Sequence, residues 1–193
     1  MLIKPVTPNN PDPCGILIPL PQYPLYTASL AQFSGTPLFY DLDESNGWST
    51  SPAGVRAALA RAKEKGVIPK ALAVLNPGNP TGGLLREETQ EELVKLCEEH
   101  NLVLLADEVY QSNLHRRKEA PFTSFKKIVR RMESPIALVS YHSISKGVTA
   151  ECGRRGGYFE CTNFPEEILA LIYKMVGVDI RHVYRVNADL HFT

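Results

Sequence analysis

The chain of 193 residues has no long apolar run, no excess of one charge and few cysteines, and each shortage excludes something. Its longest apolar stretches, residues 15–20 and 102–106, fall far short of the ~20 residues a helix needs to cross a bilayer. The 21 lysines and arginines balance 21 aspartates and glutamates, so no basic stripe is offered to a nucleic acid or an anionic membrane surface. Four cysteines, Cys14, Cys97, Cys152 and Cys161, are spread without a C-x-x-C pair, which argues against a zinc site and a dense disulfide framework and leaves reduced thiols as the expectation. His100, His115 and His142 lack metal-ligand spacing. Neither a P-loop nor a G-x-G-x-x-G turn after a first strand is present. Residues 1–10 carry no basic-then-apolar leader. The expected location is therefore cytoplasmic, or mitochondrial if a targeting segment lies upstream. What remains is 44% apolar and 22% charged, the balance of a globular chain of about one domain.

Short β-rich runs alternate with amphipathic segments, which predicts an α/β fold: a mostly parallel sheet in three layers with helices on both faces. Runs at 15–19, 36–42, 71–75, 102–106, 136–140 and 157–161 read as strands. Between them, Leu25, Leu30 and Phe33 mark one helix, and Val55, Ala58, Leu59 and Ala62 a second that Ser51-Pro52 opens and Gly66 stops. Residues 87–100 should bury Leu93, Leu96 and Cys97, and Phe125, Ile128, Val129 and Met132 fit a fourth helical face. Residues 43–50 read as a polar loop. Ile168, Leu169, Leu171, Ile172, Met175 and Val176 suggest a last helix, while residues 177–193 show no period and stay unassigned.

Three polar clusters follow the third, fourth and fifth strand-like runs. A parallel sheet would gather Asn79, Asp107, Tyr110, Ser143 and Lys146 at one rim, where such sheets bind ligands. A lysine nucleophile, a carboxylate, a phenol, an amide, hydroxyls and Arg155 in a glycine-rich turn are the groups that a phosphorylated aldehyde cofactor with a ring nitrogen requires.

Asn76-Pro77-Gly78-Asn79-Pro80-Thr81-Gly82, Ala106-Asp107-Glu108-Val109-Tyr110 and Ser143-Ile144-Ser145-Lys146-Gly147 resemble the signature of the fold-type I, class I/II aminotransferases, which use pyridoxal 5′-phosphate. Pro21-Gln22-Tyr23-Pro24-Leu25-Tyr26 and the segment from Glu151 to Tyr158 most resemble the alanine aminotransferase branch. The resemblance implies catalytic roles for Lys146, Asp107 and Tyr110. Lys146 would hold the cofactor as an internal aldimine and then, as a neutral amine, move the proton between substrate and cofactor carbons. Asp107 would keep the pyridine nitrogen protonated, Asn79 and Tyr110 would donate to the phenolate oxygen, and Ser143 and Arg155 would bind the phosphate. Tyr23 would stack on the ring. It further implies amino-acid and 2-oxo-acid substrates, transfer between L-alanine and 2-oxoglutarate, and a homodimer. Residues 1–176 would be part of the large cofactor-binding domain. The small domain, with the arginine that grips the substrate carboxylate, cannot be located, and neither Arg181 nor Arg185 carries a motif for that role. The alanine aminotransferase branch usually has an aromatic residue where Arg154 stands.

Plainer roles stand beside these. Lys146 alone could be a surface lysine, Asn79 could only shape its turn, and Ser145 could be a phosphate ligand or a cap. One of Arg154 and Arg155 should be solvated. Glu108, Trp48 and Tyr40 read as structural. Two further readings of the whole chain share these residues: a lyase of the aminocyclopropane-carboxylate synthase type, and a catalytically inert aminotransferase fragment.

Overall fold

A computed structural model describes residues 13–115 and 118–179. By its contacts the chain forms two units that divide between Asn163 and Phe164. The larger unit is built on a seven-stranded mixed sheet. Its strands are β1 (Cys14–Leu20), β2 (Thr36–Asp43), β3 (Ser49–Thr50), β4 (Ile68–Leu75), β5 (Val103–Asp107), β6 (Leu138–Ser143) and β7 (Gly157–Thr162). Their order is β3-β2-β1-β4-β5-β6-β7. The five inner strands run parallel, and the two edge strands, β3 and β7, pair antiparallel with their neighbours. The mostly parallel α/β sheet expected from the alternation of runs is therefore present.

Parallel strands covered on both faces must be apolar throughout, and Ala71 to Leu75 of β4 are all buried. Helices α2 (Pro52–Glu64), α3 (Glu87–Glu99) and α4 (Phe125–Arg131) share one core cluster with the sheet, centred on Leu17, Leu72, Leu93, Leu104, Phe125 and Leu138. Ion pairs tie these helices at the surface: Arg56 meets Glu99 at 2.7 Å, and Arg131 meets Glu87 and Glu91 at 2.6 Å. Helix α2 starts where the Ser51 hydroxyl accepts the Gly54 N–H at 3.3 Å with Pro52 in its first turn, as an N-cap with a following proline should. Gly66 ends it at φ +65°.

One local expectation needs correction. Residues 43–50 are not simply a loop: the Trp48 N–H bonds the Asp43 carbonyl at 2.8 Å and Gly47 takes φ +62°, so the chain reverses and adds β3. Helix α1 (Leu25–Gln32) forms, yet of its three marker residues only Leu30 is buried, while Leu25 and Phe33 are more than half exposed. Apolar spacing sets which residues share a helix face; it does not supply the surface that covers it.

The second unit holds α5 (Glu166–Asp179), which takes in the apolar positions expected to be helical there. Among the described residues no helix is long and apolar enough to cross a membrane. Residues 180–193, which contain Arg181 and Arg185, lie outside the described residues.

Candidate active site

The order of the strands places the first reversal of winding between β1 and β4: from β1 the chain goes outward to β2, then returns to the other side and proceeds through β4, β5 and β6. Side chains at the C-terminal ends of these strands face the region where open α/β sheets take ligands. Asn79 follows β4, Asp107 closes β5, Ser143 closes β6, and Tyr26 lies in the helix that follows β1.

Asp107 pairs in register with Leu75 and Tyr141 of the flanking strands. Its Oδ2 accepts the Tyr26 phenol at 3.1 Å, and its Oδ1 faces the Val109 N–H at 3.5 Å. Burial pushes its carboxyl up, and these two hydrogen bonds oppose the shift because they favour the ionised form. Around it the phenols of Tyr26 and Tyr141 are both raised by burial and by the nearby carboxylate, Tyr141 to about 12, so both stay protonated at neutral pH.

Three residues beyond Asp107, Tyr110 brings its hydroxyl to 3.4 Å from the Asn79 Nδ2. The amide of the loop after β4 thus donates to the phenol of the loop after β5. The Lys146 Nζ lies 5.7 Å from the centroid of the Tyr110 ring. Asn79, Tyr110 and Lys146 are therefore neighbours, and Asp107 is joined to them through the short 107–110 turn.

Lys146 sits in a braced loop. The Lys146 and Gly147 N–H groups bond the Ser143 carbonyl at 3.2 and 3.1 Å, and the Ser143 hydroxyl accepts the Ser145 N–H at 3.2 Å. The loop is clamped from the far side by Ile144 N–H to Gly156 carbonyl at 3.2 Å and Glu151 N–H to Ile144 carbonyl at 3.1 Å. Arg155 occupies the left-handed region at φ +49°, and its guanidinium gives one N–H to the Cys152 carbonyl at 2.9 Å, leaving four donors uncommitted by that bond. Both arginines are exposed, and Arg154 pairs with Glu151 at 3.1 Å. Tyr23 is 52% exposed, and no contact draws its ring to the group around Tyr110. Trp48 and Thr81 line a shallow cleft beside Asn79, bounded by Pro19, Pro21 and Leu85; neither Asp107 nor Lys146 borders it.

Tyr26 is the residue that sequence reasoning passed over as a functional group. It stands inside the Pro21–Tyr26 motif, yet nothing in linear order marks it as a partner of a carboxylate 81 positions away. Asn76 and Glu108 brace the loops from beneath: Asn76 Oδ1 accepts the Leu85 N–H at 3.0 Å, and Glu108 Oε1 accepts the Phe125 N–H at 2.7 Å. Among the described residues no cluster of three or more potential metal ligands occurs.

The donor set fits a ring-bearing phosphorylated aldehyde. A carboxylate at the end of β5 accepts two hydrogen bonds, an amide donates to a phenol oxygen beside it, and an amine stands beside that phenol.

Comparison with known proteins points the same way. Residues 8–177 match the family model for aminotransferase class I and II. The mitochondrial alanine aminotransferase 1 of Arabidopsis thaliana is 50% identical over 169 residues, covering 86% of this chain and 31% of that protein. Glutamate–glyoxylate aminotransferase 1 of the same plant is 46% identical over 168 residues, with 85% and 35% covered. Among solved structures, an alanine aminotransferase from Pyrococcus furiosus superposes with a TM-score of 0.71 at 26% identity, covering 87% of this chain and 40% of that one. The chain thus spans about a third of the length of these curated relatives.

Proposed function

Because the chain belongs to the class I and II aminotransferases, whose cofactor is pyridoxal 5′-phosphate, we propose that it forms part of an enzyme that transfers an amino group between L-alanine and 2-oxoglutarate. The observation that carries this reading is the meeting of Asn79 Nδ2 and Tyr110 Oη at 3.4 Å with the Lys146 Nζ beside the same ring. The choice of alanine rests on the names of the relatives alone. In this reading residues 1–176 belong to a cofactor-binding domain, two copies pair as a homodimer, and the enzyme works in the cytoplasm or, as the name of the first relative suggests, in the mitochondrion.

Pyridoxal phosphate, when bound, supplies an aldehyde through which an amino group can pass and a ring that accepts negative charge. The protein's own residues do the rest. Lys146 would provide the amine that holds the cofactor, and its Nζ would serve as the base that takes and returns the substrate's α-proton. Asp107 would pair with the ring nitrogen through a charge-assisted hydrogen bond that favours its protonated form. Asn79 Nδ2 and Tyr110 Oη, already joined by a hydrogen bond, would donate to the ring oxygen. Ser143 and Arg155 bind the phosphate, the second with a planar fork of donors suited to a dianion. Tyr23, stacking on the ring, would have to turn inward from its exposed position.

Reductive trapping tests the reading. Wild-type chain mixed with pyridoxal phosphate and treated with borohydride is expected to carry the cofactor covalently on the peptide that contains Lys146, and Lys146→Ala is expected to lose that label. A label on another lysine, or one that persists in the variant, overturns the assignment. The transfer itself is checked separately by alanine-dependent pyruvate release in the presence of 2-oxoglutarate.

A further inference from the structure

We propose that Tyr26 is the positioning residue that aims Asp107. This rests on the cofactor reading above in one respect only, namely what Asp107 is aimed at; the coupling of the two side chains stands on geometry.

A carboxylate at the end of a buried strand can rotate and can take up a proton, and either change would spoil it as a partner for a cationic ring nitrogen. Asp107 is restrained at both oxygens: Oδ2 by the Tyr26 phenol at 3.1 Å, Oδ1 by the Val109 N–H at 3.5 Å. The Val109 bond is long and arises within the same turn. The Tyr26 bond is shorter and comes from another element, so it carries most of the orientation. A donor from outside the turn also leaves one lone pair on Oδ2 and most of Oδ1 available to a second partner.

The other titratable groups that feel Asp107 cannot replace Tyr26. Tyr141, its register neighbour on β6, and Glu108, the next residue, interact with it through charge, and no hydrogen bond joins either to it. Tyr26 is also well placed to remain a donor, since burial and the carboxylate itself hold its proton on.

The rest of α1 gives the helix little reason to hold this register. Its N-cap residue, Pro24, makes no side-chain cap bond, and only Leu30 is buried. The bond from Tyr26 to Asp107 therefore ties the segment after β1 to the end of β5 as well as serving the carboxylate. A merely structural tether would be felt in stability alone, whereas a positioning residue must change the acidity of Asp107 and the affinity for the cofactor.

The test compares wild type with Tyr26→Phe, which keeps the ring and removes the hydroxyl. In the cofactor-free chain, carboxyl-carbon NMR with labelled aspartate is expected to show the Asp107 titration midpoint raised by about one pH unit in the variant, since a lost hydrogen bond to a charged group is worth about that much. With pyridoxal phosphate added under conditions where both proteins are folded, the variant is expected to bind about tenfold more weakly. An unchanged Asp107 midpoint overturns the proposal, as does unchanged cofactor affinity with a raised midpoint, because aiming would then be irrelevant to binding. Failure of the wild type itself to bind pyridoxal phosphate overturns the functional reading, and the titration midpoint still decides whether Tyr26 controls Asp107.

Discussion

Glu108 is only 4% exposed, accepts the Phe125 N–H at 2.7 Å, and lies next to Asp107. Burial pushes its carboxyl up to about 7, with the Asp107 charge adding to the shift and the Phe125 bond opposing it. Since the folded pKa lies above the ordinary value of 4.5, the folded state binds the extra proton between those two limits. The contribution of Glu108 is therefore complete at low pH and is lost as pH rises through about 7, a swing on the order of 3 kcal/mol. Urea unfolding at about pH 5 and about pH 8 checks this: the wild type should lose stability on going up, and Glu108→Gln should flatten the difference. A wild-type curve that rises instead would contradict the sign. Reading Glu108 as structural needed no coordinates, because it sits directly after an apolar strand; the bond to Phe125, 17 positions on, did.

At the scale of elements, the boundary between β6 and β7 controls the Lys146 loop. Ser143 and Gly157 are the last paired residues of this antiparallel ladder. A Cβ at residue 157 would sit 2.6 Å from the His142 carbonyl oxygen, closer than real contacts allow. Gly157→Ala is therefore expected to push β7 away from the end of β6 and cost about 1–3 kcal/mol in a urea melt. It should also weaken cofactor trapping, because the clamp from Gly156 to Ile144 starts at the same point. The strands and helices themselves were largely legible in the sequence: α2 was marked by its cap and stop residues, and the β4 and β5 runs by their apolar content. Their ends moved by one to three residues because ladder pairing, not hydropathy, decides where a strand stops. The antiparallel direction of β7 and the short β3 were not legible, since strand direction depends on where the chain returns in space.

For the whole larger unit, the core and the site are separate investments of the sequence. Leu93 is fully buried between α3 and the sheet, and Leu93→Ala is expected to cost about 2–5 kcal/mol. Lys146 is exposed, so Lys146→Ala should shift stability by no more than about 0.5 kcal/mol while abolishing the trapped label. Denaturation midpoints of both variants measure the contrast; a large loss of stability in Lys146→Ala would show the loop to be part of the core. The order of motifs along the chain determined the fold class and which residue types gather at one rim, because strand-terminal polar clusters must emerge together at the end of a parallel sheet. Only the tertiary structure decided which of them touch. It set Tyr110 against Asn79, placed Lys146 beside that ring, and brought Tyr26 from α1 to Asp107. The physical reason is range: periodicity and capping act over a few residues, whereas these contacts join positions far apart in the chain, whose distances are fixed by how strands pair and how helices pack on them.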